Sequence, residues 1–203
     1  MGSLAAMVPL LLAAAITPGP NNVVMLRIGL ERGLRAVPGP ATGVVLGGLA
    51  MLLVSRAGVA LAFAAHPWLP MLIRISGAGC VAWLGARLFR ESFRKAPAPS
   101  CPLGESGAPA TPGVLGMFLF QFVNPKAWLV VLTVVAAGSA STRPASLASL
   151  VALFIVIPYG CLALWAGGGS LAATLLRDTR ARACLDRASG AWLALSALLL
   201  LRQ

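Results

Sequence analysis

Long apolar stretches separated by short polar ones set the period of this chain. Windows long enough to cross a bilayer as helices recur at 4–26, 38–64, 69–89, 113–136, 146–168 and 187–202. The pattern predicts six transmembrane helices and almost no mass outside them. Two windows are interrupted by proline within the apolar run, at Ile16-Thr17-Pro18-Gly19-Pro20-Asn21-Asn22 and at Gln121-Phe122-Val123-Asn124-Pro125-Lys126-Ala127-Trp128. A helix in lipid has to satisfy its own backbone, and proline removes a donor. Such breaks persist only where protein or a wet cavity takes over the freed groups. One break in each half of a chain is the pattern of a transporter's binding site.

Residues 96–112 are rich in Pro, Ala, Ser and Gly and read as a linker between a first repeat, 1–95, and a second, 113–203. Each repeat carries three helices, and an odd number makes the second run opposite to the first, as in an inverted repeat. Helix 3 begins Arg74-Ile75-Ser76-Gly77-Ala78 and helix 6 Arg187-Ala188-Ser189-Gly190-Ala191, which supports the internal repeat. By helical rise the two breaks, in helices 1 and 4, lie roughly 16–20 Å deep, near the midplane.

Composition agrees with a membrane class: 59% hydrophobic and 10% charged residues, with mean hydropathy +0.89. Soluble domains carry about 25% charged residues. A net charge of +11 raises the question of nucleic acid, but no basic face stands on a soluble module. Instead Arg27, Arg32 and Arg35, then Arg87, Arg90, Arg94 and Lys95, then Arg177, Arg180, Arg182 and Arg187 mark alternate loops. The excess of positive charge assigns those loops to the cytoplasm and both termini to the outside. The first apolar run has no basic residue before Arg27 and reads as a retained helix rather than a signal peptide. Cys80, Cys101, Cys161 and Cys184 form no CxxC pair and no metal spacing with His66, so reduced thiols and no metal or cofactor are expected. There is no HExxH, carboxylate pair, serine–histidine signature or phosphate loop, and an enzyme is not expected.

The candidate substrate-binding residues follow from the breaks. Pro18 and Pro20 free carbonyls, and Gly19 lets the backbone approach another group closely. Thr17, Asn21 and Asn22 add side-chain donors and acceptors. A half-helix restarting near Asn21 turns free N–H groups and a positive dipole end inward, which suits a carboxylate. Asn124 and Pro125 repeat the arrangement, and Lys126 adds a cation. No acidic residue lies inside any window, so the counter-ion expected for Lys126 is the ligand itself. Trp128 either closes the pocket or packs. Arg56, inside helix 2, and Tyr159, after Pro158, are further candidates to line the cavity, whereas Arg74 can snorkel. Gly43 and Gly47 are spaced for close helix approach.

At these breaks the chain resembles the LysE/RhtB family of amino-acid exporters. Thr17-Pro18-Gly19-Pro20-Asn21 with Arg32-Gly33-Leu34-Arg35-Ala36 is similar to that family's first signature, and Leu84-Gly85-Ala86-Arg87-Leu88 and Asn124-Pro125-Lys126-Ala127 to later ones. The form of 120–128 is similar to members associated with small neutral or sulfur-containing amino acids. The resemblance implies a proton-driven exporter of amino acids or close derivatives in the bacterial inner membrane, with Pro18, Gly19, Pro20, Asn21, Asn124, Pro125 and Lys126 as motif residues. The chain departs from the family in helix 2, where Gly48 and Met51 stand at positions that often hold an acid and a histidine. Without an intramembrane carboxylate the proton needs another carrier, and a uniporter or exchanger remains open. The expected cycle rocks one half against the other. The partners expected are the amino-acid substrate, the lipid bilayer and a second copy in a homodimer; a transporter of another small solute or ion, or a regulatory membrane protein, are the alternatives.

Overall fold

A computed structural model describes residues 2–91, 112–139, 147–175 and 179–202. All its elements are helical: α1 (Gly2–Ile16), α2 (Pro20–Arg32), a 3₁₀ turn (Leu34–Ala36), α3 (Pro38–Val54), a π turn (Ser55–Val59), α4 (Ala60–Ala65), α5 (Trp68–Glu91), α6 (Val114–Val123), α7 (Pro125–Ser139), α8 (Leu147–Leu175) and α9 (Thr179–Arg202). Leu34–Val59, Trp68–Arg87 and Leu147–Leu175 are long and apolar enough to cross a membrane. Two further pairs pass the same test only together, α1 with α2 bent by 55° and α6 with α7 bent by 72°. The protein is thus an all-α, multi-pass membrane protein, with three continuous and two broken candidate spans among the described residues. The apolar part of α9, residues 188–201, follows a charged first half and is too short to meet the same measure.

Several boundaries differ from those expected. Helix 1 runs on to Arg32, so Arg27 and Arg32 belong to its last turns rather than to a loop, and Arg27 pairs with Glu31 at 2.6 Å. Arg87 and Arg90 likewise end α5, and α9 starts at Thr179, so that Arg180, Arg182 and Arg187 are helical. Charged residues at helix ends do not stop a helix; they only mark where its apolar surface ends. The second expected helix is divided by the π turn, where Gly58 has φ 116°, a value that favours glycine. The linker at 96–111, with Cys101 and Glu105, lies outside the described residues, as do Arg143, Arg177 and Asp178.

Glycines set the closest helix crossings. In lipid, helix association rests on van der Waals packing, and small residues let backbones approach. A Cβ on Gly29 of α2 would lie 1.9 Å from the Ala166 carbonyl oxygen of α8, and one on Gly169 of α8 would lie 1.9 Å from that of Leu26. Gly43 and Gly47 of α3 bear on α6 in the same way, with Val114 O at 2.3 Å and Gln121 Cγ at 2.5 Å. Gly85 and Gly190 join α5 to α9, where a Cβ on either would lie 2.9 Å from the other's carbonyl oxygen. Each crossing therefore joins a helix of the first half to one of the second.

Two apolar clusters pack along α3 and α8. One gathers Met7, Leu11, Met51, Leu52, Trp128, Val131, Val134, Leu150 and Phe154. The other gathers Met25, Ile28, Val37, Ala41, Val44, Met117, Leu162 and Ala166. Followed along α3, the second cluster comes first and the first comes last; along α8 the order is reversed. The middle turns of both helices, between the clusters, are where the two chain breaks converge.

Candidate functional site

Each break exposes particular backbone groups, and particular side chains receive them. Pro18 cannot donate to the Ala14 carbonyl, nor Pro20 to that of Ile16. The Trp165 indole of α8 donates to Ile16 O at 3.2 Å. Buried Asn22 donates through Nδ2 to Ala15 O at 2.9 Å and to Thr17 O at 2.8 Å. α2 then begins on Pro20 with extended Gly19 as its N-cap and no side chain capping it. The first-turn amides of α2 have no helical partners, so this end carries the positive dipole.

The second break is closed differently. Pro125 leaves the Gln121 carbonyl without its helical donor, and the Asn124 amide takes it at 3.1 Å. Asn124 Oδ1 accepts the Lys126 amide at 3.1 Å, which caps α7 and frees the Phe122 carbonyl. The Trp128 indole donates to that carbonyl at 2.8 Å. An indole N–H thus takes a freed carbonyl at each break.

The breaks also bond to each other. Lys126 Nζ donates to Thr17 O at 2.7 Å. Asn21 Nδ2 donates to Gln121 Oε1 at 3.0 Å, and Gln121 Nε2 donates back to Asn21 Oδ1 at 3.2 Å. Gln121 Nε2 further donates to Met117 O at 3.0 Å, and the residue is 1% exposed. Gly47 makes room for it, since a Cβ there would meet its Cγ.

Around these groups lies a cavity of about 100 Å³. One water needs roughly 10–15 Å³ on the same measure, so a small organic molecule fits. The polar part of the lining comes from the two breaks: Gly19, Asn21, Asn22, Gln121, Asn124 and Lys126. The rest is apolar, with Val44, Val45, Val130, Val131, Phe154 and Leu162 among its walls. Among the described residues of the lining, Lys126 is the only charged one, and no carboxylate faces it there. Gly48, noted above as standing where an acid is frequent in the resembled family, is part of the same wall.

Of the residues singled out from sequence, Gly19, Pro20, Asn21, Asn22, Asn124 and Lys126 come together at the cavity. Thr17 contributes its carbonyl, while its hydroxyl turns back to Ala13 O. Pro18 and Pro125 shape the breaks without lining the space, and Pro125 sits under Gly77 of α5. Trp128 does not line the cavity either; it is buried against Phe63, with ring centroids 5.2 Å apart. Arg56 is exposed on the π turn and Tyr159 packs against the second apolar cluster, so neither is in the lining. A side chain on a helix covers one face only, and these two positions turn away from the cavity. Gln121, Trp165 and Phe154 are contributors that the sequence pattern does not single out. Gln121 carries a signal nonetheless, as an uncharged polar residue in an apolar helix one turn before the break.

The three described cysteines are free, and among the described residues no group of three or more His, Cys, Asp or Glu could hold a metal ion. No solved structure matches the chain significantly. An uncharacterized membrane protein of Pseudomonas aeruginosa is 34% identical over 80 residues, 39% of this chain and 37% of that one. A leucine efflux protein of Enterobacter sp. is 32% identical over 116 residues, 56% and 53% of the two chains. A cysteine/O-acetylserine efflux protein of Salmonella typhimurium is 32% identical over 136 residues, 63% and 65%. The chain spans between 37% and 65% of the length of these relatives. A family model described as LysE type translocator matches residues 12–203, nearly the whole chain, and on that match the chain belongs to the LysE type translocator family.

Proposed function

We propose that the protein exports amino acids or close derivatives across the bacterial inner membrane, opening its central cavity alternately to the two sides. The observation that carries this reading is the lone cation of the lining, Lys126, beside the uncapped N-terminus of α2. Both favour an anion, and the lining offers Lys126 no carboxylate. A substrate carboxylate completes the site. The substrate ammonium meets carbonyls freed at the first break, such as that of Ala14, together with Asn21.

The apolar remainder of the cavity favours a small neutral side chain. A second cation has no acid to receive it, and a second carboxylate has one lysine to share. The efflux proteins to which the chain is similar, named for leucine and for cysteine/O-acetylserine, support this size and polarity.

The six helices form two inverted repeats in this reading, with α9 as the sixth span, both termini outside and the basic helix ends in the cytoplasm. Export is driven by the proton gradient. A second mode, exchange of one amino acid for another, is favoured because the described residues of the lining include no carboxylate. Efflux from cells loaded with a panel of amino acids, with and without an uncoupler, tests substrate and driving force together. Lys126→Ala is expected to abolish efflux while the protein still inserts. Wild-type efflux by that variant would overturn the assignment.

A further inference from the structure

Rocking of one chain half against the other would drag α2 past α8 and α3 past α6. Those are the contacts least able to slide. Gly29 and Gly169 bring the α2 and α8 backbones so close that neither position has room for a Cβ, and Gly43 and Gly47 likewise leave no room for a Cβ where α3 meets α6. Close-packed interfaces of this kind switch between discrete arrangements rather than deform continuously. The helices that stay together are therefore α2 with the second part of α8, and α3 with α6.

Between these two pairs the packing is of another kind. Met25, Ile28, Leu162 and Ala166 come from the α2–α8 pair and Ala41, Val44 and Met117 from the α3–α6 pair, and they meet as apolar side chains. Backbone breaks lie at the edge of each pair, at the level of the cavity. Thr17–Gly19 separates α2 from α1, and Asn124 separates α6 from α7. Pro158, which lines the cavity, removes a hydrogen bond from the middle of α8. Two hydrogen bonds of the Asn21–Gln121 amide pair cross from α2 to α6, and Gln121 is held on its own side by the Met117 carbonyl and against Gly47.

We propose that Gln121 is a positioning residue whose amide latches two moving bodies, α2 with the second part of α8 and α3 with α6, and that the cavity opens when this latch parts. The bodies mix the two sequence halves, so the motion differs from rocking of repeats. The inference rests on the transport reading for its purpose. Its geometry can be tested without a substrate.

The test is a set of spin–spin distances in lipid nanodiscs, after replacing Cys80, Cys101, Cys161 and Cys184. Labels at exposed positions report three distances: Glu31→Cys with Leu171→Cys within the first body, Leu46→Cys with Leu115→Cys within the second, and Leu115→Cys with Leu171→Cys between them. The first two should give single narrow distances and the third two populations. Leu115 and Leu171 lie in the same sequence half, so rocking of halves predicts the reverse. Gln121→Leu, which cannot pair with Asn21, should raise the more separated population. The swap Asn21→Gln with Gln121→Asn should return it towards wild type. A single Leu115–Leu171 distance in both wild type and Gln121→Leu overturns the proposal, as does broadening at either within-body pair. Efflux of amino acids is measured separately in the unlabelled protein, so its absence would overturn the transport reading while leaving the distances interpretable.

Discussion

The ammonium of Lys126 lies against the backbone of Gly19, where a Cβ would come within 3.0 Å of Nζ and 3.1 Å of Cδ. Lys126 reaches the Thr17 carbonyl by crossing this bare stretch of chain. Gly19 is extended, with φ −160° and ψ 177°, a conformation open to any residue. Its role is space for the lysine rather than backbone freedom. Gly19→Ala is therefore expected to leave folding intact, because the clash is with the end of a flexible side chain. It should displace Nζ and lower amino-acid efflux about tenfold, the effect of roughly 1.4 kcal/mol. Unchanged efflux, with the melting temperature also unchanged, would show that the lysine's path does not matter.

Arg56 offers the complementary test. An arginine within an apolar segment is a functional candidate by default. Here it is exposed on the π turn and absent from the cavity lining. Arg56→Gln is expected to transport like wild type, to within about twofold, a difference of roughly 0.4 kcal/mol. Loss of efflux with normal membrane insertion would bring Arg56 into the transport path.

How much of this site is legible in the sequence depends on the kind of signal. Pro18, Pro20 and Pro125 announce the two breaks because proline acts on its own backbone, whatever surrounds it. Asn21, Asn22, Asn124 and Lys126 follow because a polar side chain beside such a break has nearby groups to serve. Arg56 and Tyr159 do not join the cavity, since the face a side chain takes depends on rotation about the helix and on the π turn that precedes α4. Gln121 stands beside the second break, yet its role is hidden in the sequence because its partner Asn21 is a hundred residues away. The long helices are readable from hydropathy, but their ends are not. Apolar periodicity stops at the membrane surface, whereas α2 and α5 continue through Arg27–Arg32 and Arg87–Glu91.

Asn22 should matter for stability more than for recognition. Its amide supplies donors to two carbonyls released by the break, and the residue is 4% exposed. Asn22→Leu keeps the approximate volume and leaves both carbonyls short of a donor, although Thr17 O retains Lys126. An unsatisfied buried group costs about 1–3 kcal/mol. The variant is expected to melt earlier in detergent and to reach the membrane in reduced amount. Trp128→Phe, which keeps an aromatic ring and loses the bond to Phe122 O, should show a smaller shift, about 1 kcal/mol. Equal effects from both variants would mean that the first break is no more dependent on its side-chain donor than the second.

Two glycines on different faces separate packing from propensity. Gly29 meets the Ala166 backbone, and a methyl group there would sit 1.9 Å from a carbonyl oxygen that cannot move aside without its helix. Gly79 of α5 is exposed, and a methyl group there would have nothing within 4 Å. Overpacking typically costs about 1–3 kcal/mol, and a clash with backbone belongs at the upper end or beyond. Replacing glycine by alanine in an open helical position instead gains about 0.5–1 kcal/mol. Gly29→Ala is expected to lower the melting temperature and the yield of folded protein sharply, and Gly79→Ala to leave both unchanged or slightly raised. The same contrast should appear at Gly169 against Gly160, since a methyl on the first would meet the Leu26 carbonyl oxygen at 1.9 Å and one on the second would meet open space. Tolerance of alanine at both Gly29 and Gly169 would mean that α2 and α8 are not held at this distance, and the α2–α8 pair would then lose its standing as a single moving body.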